Sequence, residues 1–475
     1  MTIRDYEPVI GVEIHVQLAT RTKMFCGCEL SFGEAPNTRT CPICLAHPGV
    51  LPVTNAEAVH YALMIGMALG CDIAPRSIFH RKNYFYPDSP KAYQISQYDI
   101  PLCTNGRLGD VRIHRVHLEE DAAKLVHAGS SGRIHGAESS VVDFNRGGTP
   151  LVEIVTEPDL RSAAEAAEFG RLLQATLRRM GVSDVNMEEG SLRVDANVSI
   201  RPVGETRLGT KTELKNMNSF RFLERGIDAE IERQERILAD GGEVEQETLH
   251  YDPQSGRLSS LRSKEEAHDY RYFPEPDLVP LAPTEEMLER ARAALPELPA
   301  ARAERLEREL GLPGDAARLL AFRSELGDFY EAALSGDGTD PRTLANWTTN
   351  ELTARIGDAD PAATKLEPAA FARLVGMVAA KEVSASAGKE VLDVLVAEGG
   401  DPAAVVESKG LGRAGEDELG AIVERAIADN ADAVEKIRAG KDAAIGAIVG
   451  AVMRETKGRA DGGEVQRLIR AKLEA

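Results

Sequence analysis

Val9-Ile-Gly-Val-Glu-Ile-His-Val-Gln-Leu18 alternates apolar and polar side chains from Ile10 to its end. An extended chain points successive side chains to opposite faces, so Ile10, Val12, Ile14, Val16 and Leu18 share one face and Gly11, Glu13, His15 and Gln17 the other. The first face is wholly apolar and must be buried. The second sets a carboxylate beside an imidazole on a strand which that burial anchors. Two readings stand: an amphipathic strand with a solvated polar face, or one wall of a metal or acid–base site, since such sites use ionisable groups held on rigid elements.

Working outward, residues up to about 270 alternate short β-type runs with Gly- and Pro-rich turns. The runs are 111–118, 140–144, 151–156, 192–200 and 210–214. Helical patterns interrupt them at 56–69, 162–180 and 219–240. Asn55 is placed to cap the first, and Ser162 with Glu165 forms a capping box for the second. The third stops at Asp240-Gly241-Gly242. Strands mixed with helices predict an α+β region around a large mixed or antiparallel sheet. After Tyr272, Phe273-Pro-Glu-Pro-Asp-Leu-Val-Pro-Leu-Ala-Pro283 reads as an extended connector. From Thr284 onward the pattern is helical, with a second break at Gly399-Gly400-Asp401-Pro402. Beyond it, Ile445, Ile448, Val449, Val452 and Met453 form one apolar stripe, and Val465, Leu468, Ile469 and Leu473 another, both expected in a core.

A chain of 475 residues predicts several domains. The longest nearly apolar stretch, 62–74, is too short to span a bilayer, and no targeting segment is read, so a cytoplasmic enzyme or complex subunit is expected. A net charge of −20 argues against a protein that coats nucleic acid. Residues 453–475 are nonetheless net positive, with Arg454, Lys457, Arg459, Arg467, Arg470 and Lys472 against Glu455, Asp461, Glu464 and Glu474. Such a tip allows a local nucleic-acid contact, or a solvated helix face.

Cys26-x-Cys28 and Cys41-x-x-Cys44 form two close thiol pairs, while Cys71 and Cys103 stand apart. In a cytosolic chain such pairs read as a metal site before disulfides, and four thiolates would close a tetrahedral zinc shell. Two further strands carry acids in apolar surroundings: Glu119, Glu120 and Asp121 end one run, and Glu153 sits between branched aliphatics in another. Burying a lone carboxylate costs several kcal/mol unless it is paired or bound to a cation, on the order given by transfer data. These strands could converge with Glu13 and His15 on magnesium, or the acids could pair with Arg146, Arg193 and Arg201. Arg81-Lys-Asn-Tyr-Phe-Tyr-Pro-Asp88 mixes cations with rings, which suits phosphate contact and base stacking or an aromatic core edge. Arg81, Lys82, Asn83 and Tyr84 are its candidate nucleotide contacts. No P-loop is present: Thr210 separates Gly209 from Lys211, and 204–209 reads as a hairpin turn. No serine nucleophile stands in an elbow pattern.

With these residues in view, the chain resembles the B component of the tRNA-dependent aspartyl/glutamyl-tRNA amidotransferases. The matching segments are 9–18, 81–102, 117–124, 143–158, 187–201, 209–220, 263–281, 384–391 and 439–458. Met187-Glu-Glu-Gly-Ser-Leu-Arg-Val-Asp-Ala-Asn197 and Ala267-His-Asp-Tyr-Arg-Tyr-Phe-Pro-Glu-Pro-Asp277 are its most specific motifs. The resemblance implies a mixed-sheet cradle domain (1–290), a helical domain (291–400) and a small tRNA-binding tail (401–475). It implies an ATP-dependent carbon–nitrogen ligase with glutamine as amido donor. Such an enzyme uses ATP and magnesium to phosphorylate the side-chain carboxylate of Glu-tRNA(Gln) or Asp-tRNA(Asn). Ammonia from a partner amidase A subunit then displaces the phosphate, and a small C subunit ties the heterotrimer together. Glu13, His15, Glu120 and Glu153 fall on the family's magnesium and catalytic positions, with Glu119 auxiliary. Zinc at Cys26, Cys28, Cys41 and Cys44 would be structural. The alternative is a non-catalytic tRNA-binding zinc scaffold.

Overall fold

The structure is a computed structural model describing residues 6–30, 32–128, 139–253, 255–262, 270–336, 338–413, 415–438, 441–456 and 459–474. Of the stretches singled out above, 263–269, 439–440, 457–458 and 475 lie outside the described residues. The chain divides into two compact units, Met1–Leu298 and Pro299–Ala475.

The first unit carries strands β1 (Tyr6–Gln17), β2 (Asp72–Ile73), β3 (His80–Asn83), β4 (Tyr93–Ser96), β5 (Cys103–Leu108), β6 (Val111–Glu120) and β7 (Lys124–Ala128). They are followed by β8 (Ser139–Asp143), β9 (Pro150–Thr156), β10 (Leu192–Pro202), β11 (Thr212–Met217), β12 (Thr248–Asp252), β13 (Arg257–Arg262) and β14 (Phe273–Pro274). Its helices are α1 (Ala56–Ala68), α2 (Ala163–Met180), α3 (Phe220–Ala239) and α4 (Glu285–Ala294). Among the described residues nine strands form one sheet, ordered β13-β12-β11-β10-β1-β9-β6-β5-β2. All its pairs are antiparallel except β11–β12, so the sheet is mixed and the unit α+β, as the alternation predicted. β1 lies at the centre. Ile10, Val12, Ile14 and Val16 are each at most 1% exposed, in a core shared with α1, α2 and α3. The other face carries Glu13, His15 and Gln17, half-buried, beside the buried His117, Glu119 and Glu153.

The helix ends follow their caps. Asn55 accepts from the backbone of Glu57 and Ala58, and Ser162 from that of Glu165. The box on α2 closes one residue early, because the Glu165 carboxylate takes the Arg161 N–H at 2.8 Å. The loop expected as a hairpin turn joins the antiparallel β10 and β11. The proline-rich connector does not hang free. Phe273 and Pro274 form β14 against β3, and Leu281 exchanges backbone hydrogen bonds with Ser77 at 2.7 and 2.8 Å. α4 then sends Ala291 into the same core, so this unit extends to Leu298.

The second unit is helical: α5 (Pro299–Leu310), α6 (Gly314–Phe322), α7 (Ser324–Leu334), α8 (Pro341–Asn346), α9 (Thr353–Ile356), α10 (Pro368–Ala379), α11 (Ala385–Glu398) and α12 (Pro402–Lys409). Then come α13 (Glu416–Asp429), α14 (Ala431–Arg438), α15 (Ile445–Glu455) and α16 (Gly462–Glu474). A π-helical turn, Trp347–Leu352, separates α8 from α9. One apolar cluster runs from Leu306 to Leu411 and another from Leu419 to Ile469. α12 packs its Val406 into the first cluster, so the apolar division lies past the Gly399-Gly400 break. Both terminal stripes lie in the second cluster. No helix among the described residues is long and apolar enough to cross a membrane.

Candidate active site

The pairing register brings polar residues from four strands into one row. Arg193 on β10 opposes His15 on β1, His15 opposes Glu153 on β9, and Glu153 opposes His117 on β6. One row on, Glu119 leans back over them. His15 Nε2 lies 3.6 Å from Glu153 Oε2 and 3.8 Å from Glu119 Oε1. His117 Nε2 lies 3.3 Å from Glu153 Oε2 and 3.8 Å from Glu119 Oε2. Ser96 Oγ donates to Glu119 at 3.2 Å.

Electrostatics follow from this crowding. Burial alone would lower the His117 imidazole, but the Glu153 and Glu119 carboxylates outweigh it and lift it to about 9. Burial would raise Glu153, yet His117, His15 and Arg115 hold it well below the carboxylate range. Glu119 is also held low, against its burial, chiefly by His117. His117 Nδ1 is buried without a hydrogen-bond partner among the described residues.

A cavity of about 850 Å³ opens over this row, lined among others by His15, Glu119, Glu120, Arg193, Asp195 and Lys215. That volume suits a nucleotide-sized ligand. Asp121 pairs with both nitrogens of Arg193 at 3.1 and 3.2 Å and accepts from Gln17 at 2.7 Å. Burial holds the Asp195 carboxyl above its usual range.

The sequence-based site residues divide. His15, Glu119 and Glu153 converge, with ligand atoms all within 4.8 Å of one another. Glu120 lines the same cavity, but its carboxylate pairs with Lys91 and accepts from the Ile95 N–H at 3.0 Å. Glu13 turns away, taking the Asn197 amide at 2.8 Å beside a separate cavity of about 150 Å³. Of the arginines considered as partners, Arg193 and Arg146 pair with Asp121, one of the acids they were weighed against, whereas Arg201 goes to Glu7. Arg115 instead approaches Glu153, at 3.6 Å.

Of the nucleotide candidates, Lys82 and Tyr84 line the large cavity. Burial would lower the Lys82 ammonium, but Glu119, Tyr272, Glu153 and Tyr270 together outweigh it and raise it above the ordinary range. Tyr84 stacks on Tyr86 with ring centres 5.7 Å apart. Arg81 is committed to the buried Glu275 through two hydrogen bonds of 2.7 and 2.8 Å. Asn83 donates to the backbone of Tyr270 and Arg271. Both fasten β3 to the 270–277 segment.

Both donor sets fit a cation. Magnesium–oxygen bonds of about 2.1 Å put neighbouring ligands roughly 3 Å apart and opposite ones roughly 4.2 Å apart. The 3.6 and 3.8 Å separations at His15 match neither spacing, and side-chain shifts of about half an ångström would bring these ligands to one or the other. The four cysteine sulfurs also lie within 4.8 Å of one another. A tetrahedral zinc shell with Zn–S of about 2.3 Å has edges of roughly 3.8 Å, and Cys41 and Cys44 Sγ are 3.9 Å apart. A hydrogen bond with Cys26 holds the Cys44 thiol well below its ordinary value.

Sequence reasoning named Asp121 only among the acids of its strand and Arg193 only as a possible ion-pair partner, and passed over His117, Asp195 and Lys215. Alternation could have found three of these five. His117 sits two residues from Glu119 on one face of β6, and Arg193 and Asp195 alternate with Leu192, Val194 and Ala196.

A half-open mixed sheet with acids, imidazoles and cations converging over a cavity, followed by an all-helical unit, defines an α+β enzyme with appended helical modules. Residues 8–289 match the GatB/GatE catalytic domain and 328–473 the GatB domain. The chain belongs to the B-component family of the aspartyl/glutamyl-tRNA(Asn/Gln) amidotransferases, the one its motifs resemble. It is 49% identical to the Thermobifida fusca member, over 99% of this chain and 95% of that one. The Frankia casuarinae member is 50% identical over 98% and 96%. An Anaeromyxobacter relative is 46% identical over the full length of both.

Proposed function

We propose that this chain activates the side-chain carboxylate of glutamate on tRNA(Gln), or aspartate on tRNA(Asn), and completes its conversion to the amide for protein biosynthesis in the cytoplasm. A carboxylate oxygen attacks the γ-phosphorus of ATP, releasing ADP and leaving an acyl phosphate. Ammonia, freed from glutamine by a partner amidase A subunit held with a small C subunit, attacks the acyl carbon. Phosphate departs and the nitrogen loses a proton, giving Gln-tRNA(Gln) or Asn-tRNA(Asn). Such chemistry asks the protein for positioning and charge neutralisation.

The observation carrying this reading is the meeting of His15, Glu119 and Glu153 from three neighbouring strands, with His15 and Glu119 lining the large cavity. These residues would hold magnesium, with Glu120 beside them on the cavity, whereas Glu13 faces a separate one. When bound, the ion neutralises phosphate charge. Lys82 and Arg193, on the same cavity, offer fixed positive charge to phosphate oxygens, and Tyr84 offers a ring face. Arg81 and Asn83 serve the nucleotide indirectly, by fixing β3. Cys26, Cys28, Cys41 and Cys44 would hold zinc as a structural clamp on the loop beside the cavity. The terminal helical module would carry the tRNA body.

The test is amidation of misacylated tRNA by the chain reconstituted with its A and C partners, with ATP, magnesium and ammonium chloride replacing glutamine. Amide formation coupled to ADP release is expected. Binding of tRNA without ATP turnover would favour the scaffold reading, which no observation supports at present.

A further inference from the structure

Lys23 is 1% exposed, one of the largest fully buried side chains of the chain. A lysine is rarely buried so completely unless its ammonium is paired. Nζ donates to Cys44 Sγ at 3.7 Å and to the Phe144 carbonyl at 3.1 Å. Its backbone N–H donates to the Cys28 carbonyl at 3.0 Å, so one residue engages both cysteine pairs. The stem is walled in by Gly148, where an added Cβ would lie 3.4 Å from Lys23 Cδ.

Four thiolates around a zinc dication leave two negative charges in a half-buried place. Such charge is costly without a nearby cation, and the nearby Lys23 ammonium is aimed at one of the four sulfurs. We infer that Lys23 is the charge-compensating partner of the cysteine quartet, a positioning residue whose ammonium stabilises the Cys44 thiolate on bound zinc. This rests on the zinc reading proposed above. It assigns Lys23 a task that capping the Phe144 carbonyl would not require.

The full-length chain, its zinc content first measured, is challenged with a competing chelator while a colorimetric dye reports released metal. Lys23→Met is expected to hold zinc on the order of 10- to 100-fold less tightly, the range for lost partners of metal ligands. Lys23→Arg keeps the charge and is expected to stay within a few-fold of the parent, roughly. Retention in Lys23→Met equal to the parent overturns the inference, as does equal loss in both variants, which would mean packing rather than charge. Should Lys23→Met fail to fold, the unaltered protein decides by amine acetylation read by mass spectrometry. Lys23 is expected to label only after zinc is stripped, and equal labelling in both states overturns the inference. A parent chain that binds no zinc overturns the zinc reading itself, a result visible before any variant is made.

Discussion

Charge in the sheet-face cavity is shared, and single substitutions there should act out of proportion to their size. Glu153 faces His15, His117 and Arg115 together. Glu153→Gln keeps the shape and removes the charge, so ammonium-dependent amidation should fall roughly 100- to 1000-fold, the scale for deleting one electrostatic group from an active site. Binding of tRNA by the reconstituted complex, measured by filter retention, should persist. Away from the cavity, Arg112 holds Asp159 through hydrogen bonds of 2.6, 2.9 and 3.0 Å, keeping that carboxyl below its usual 3.8. A lowered folded-state value means stability that is fully present above the unfolded value and drains away as pH falls through the folded one. Asp159→Asn should therefore melt below the parent at pH 7, with the gap closing under pH 4, as followed by thermal denaturation across pH. Alternation alone put His15 on the polar face and Glu153 among aliphatics. The neighbours were not legible: Glu13 turns to Asn197 and Glu120 to Lys91 because β10 and β4 pass beside them, and register across the sheet is set by tertiary pairing.

Among the elements, α2 and α3 meet at a residue with no side chain. A Cβ on Gly170 would lie 2.5 Å from the Phe220 ring. Gly170→Ala must push the helices apart or tilt that ring, and overpacking of this kind costs about 1–3 kcal/mol. The denaturant midpoint of unfolding should drop accordingly. Ser162→Ala, which removes the side-chain bond capping α2, should cost about 1 kcal/mol by the same measurement. These helices were legible because caps and apolar spacing are local signals. The proline-rich segment after Tyr272 was legible only as extended. Its docking as β14 depends on Arg81 finding Glu275 some 194 positions away, and a two-residue edge strand tolerates prolines that donate nothing.

For the molecule as a whole, the composition change after residue 272 announced a helical second half, while the place of division depended on packing. Ala291 and Leu298 join the first core, whereas Leu306 opens the next. Because Pro299–Ala475 carries its own apolar clusters, that fragment expressed alone should show a helical far-UV spectrum and a cooperative melt. Non-cooperative loss of ellipticity would count against it. The row joining Arg193, His15, Glu153 and His117 also has a genetic consequence. Each strand contributes one residue to it at a fixed parity, so a one-codon insertion or deletion within β1, β6, β9 or β10 would carry the polar side chains into the core and aliphatic ones into the cavity. Length variation among functional relatives should therefore fall in the turns between these strands.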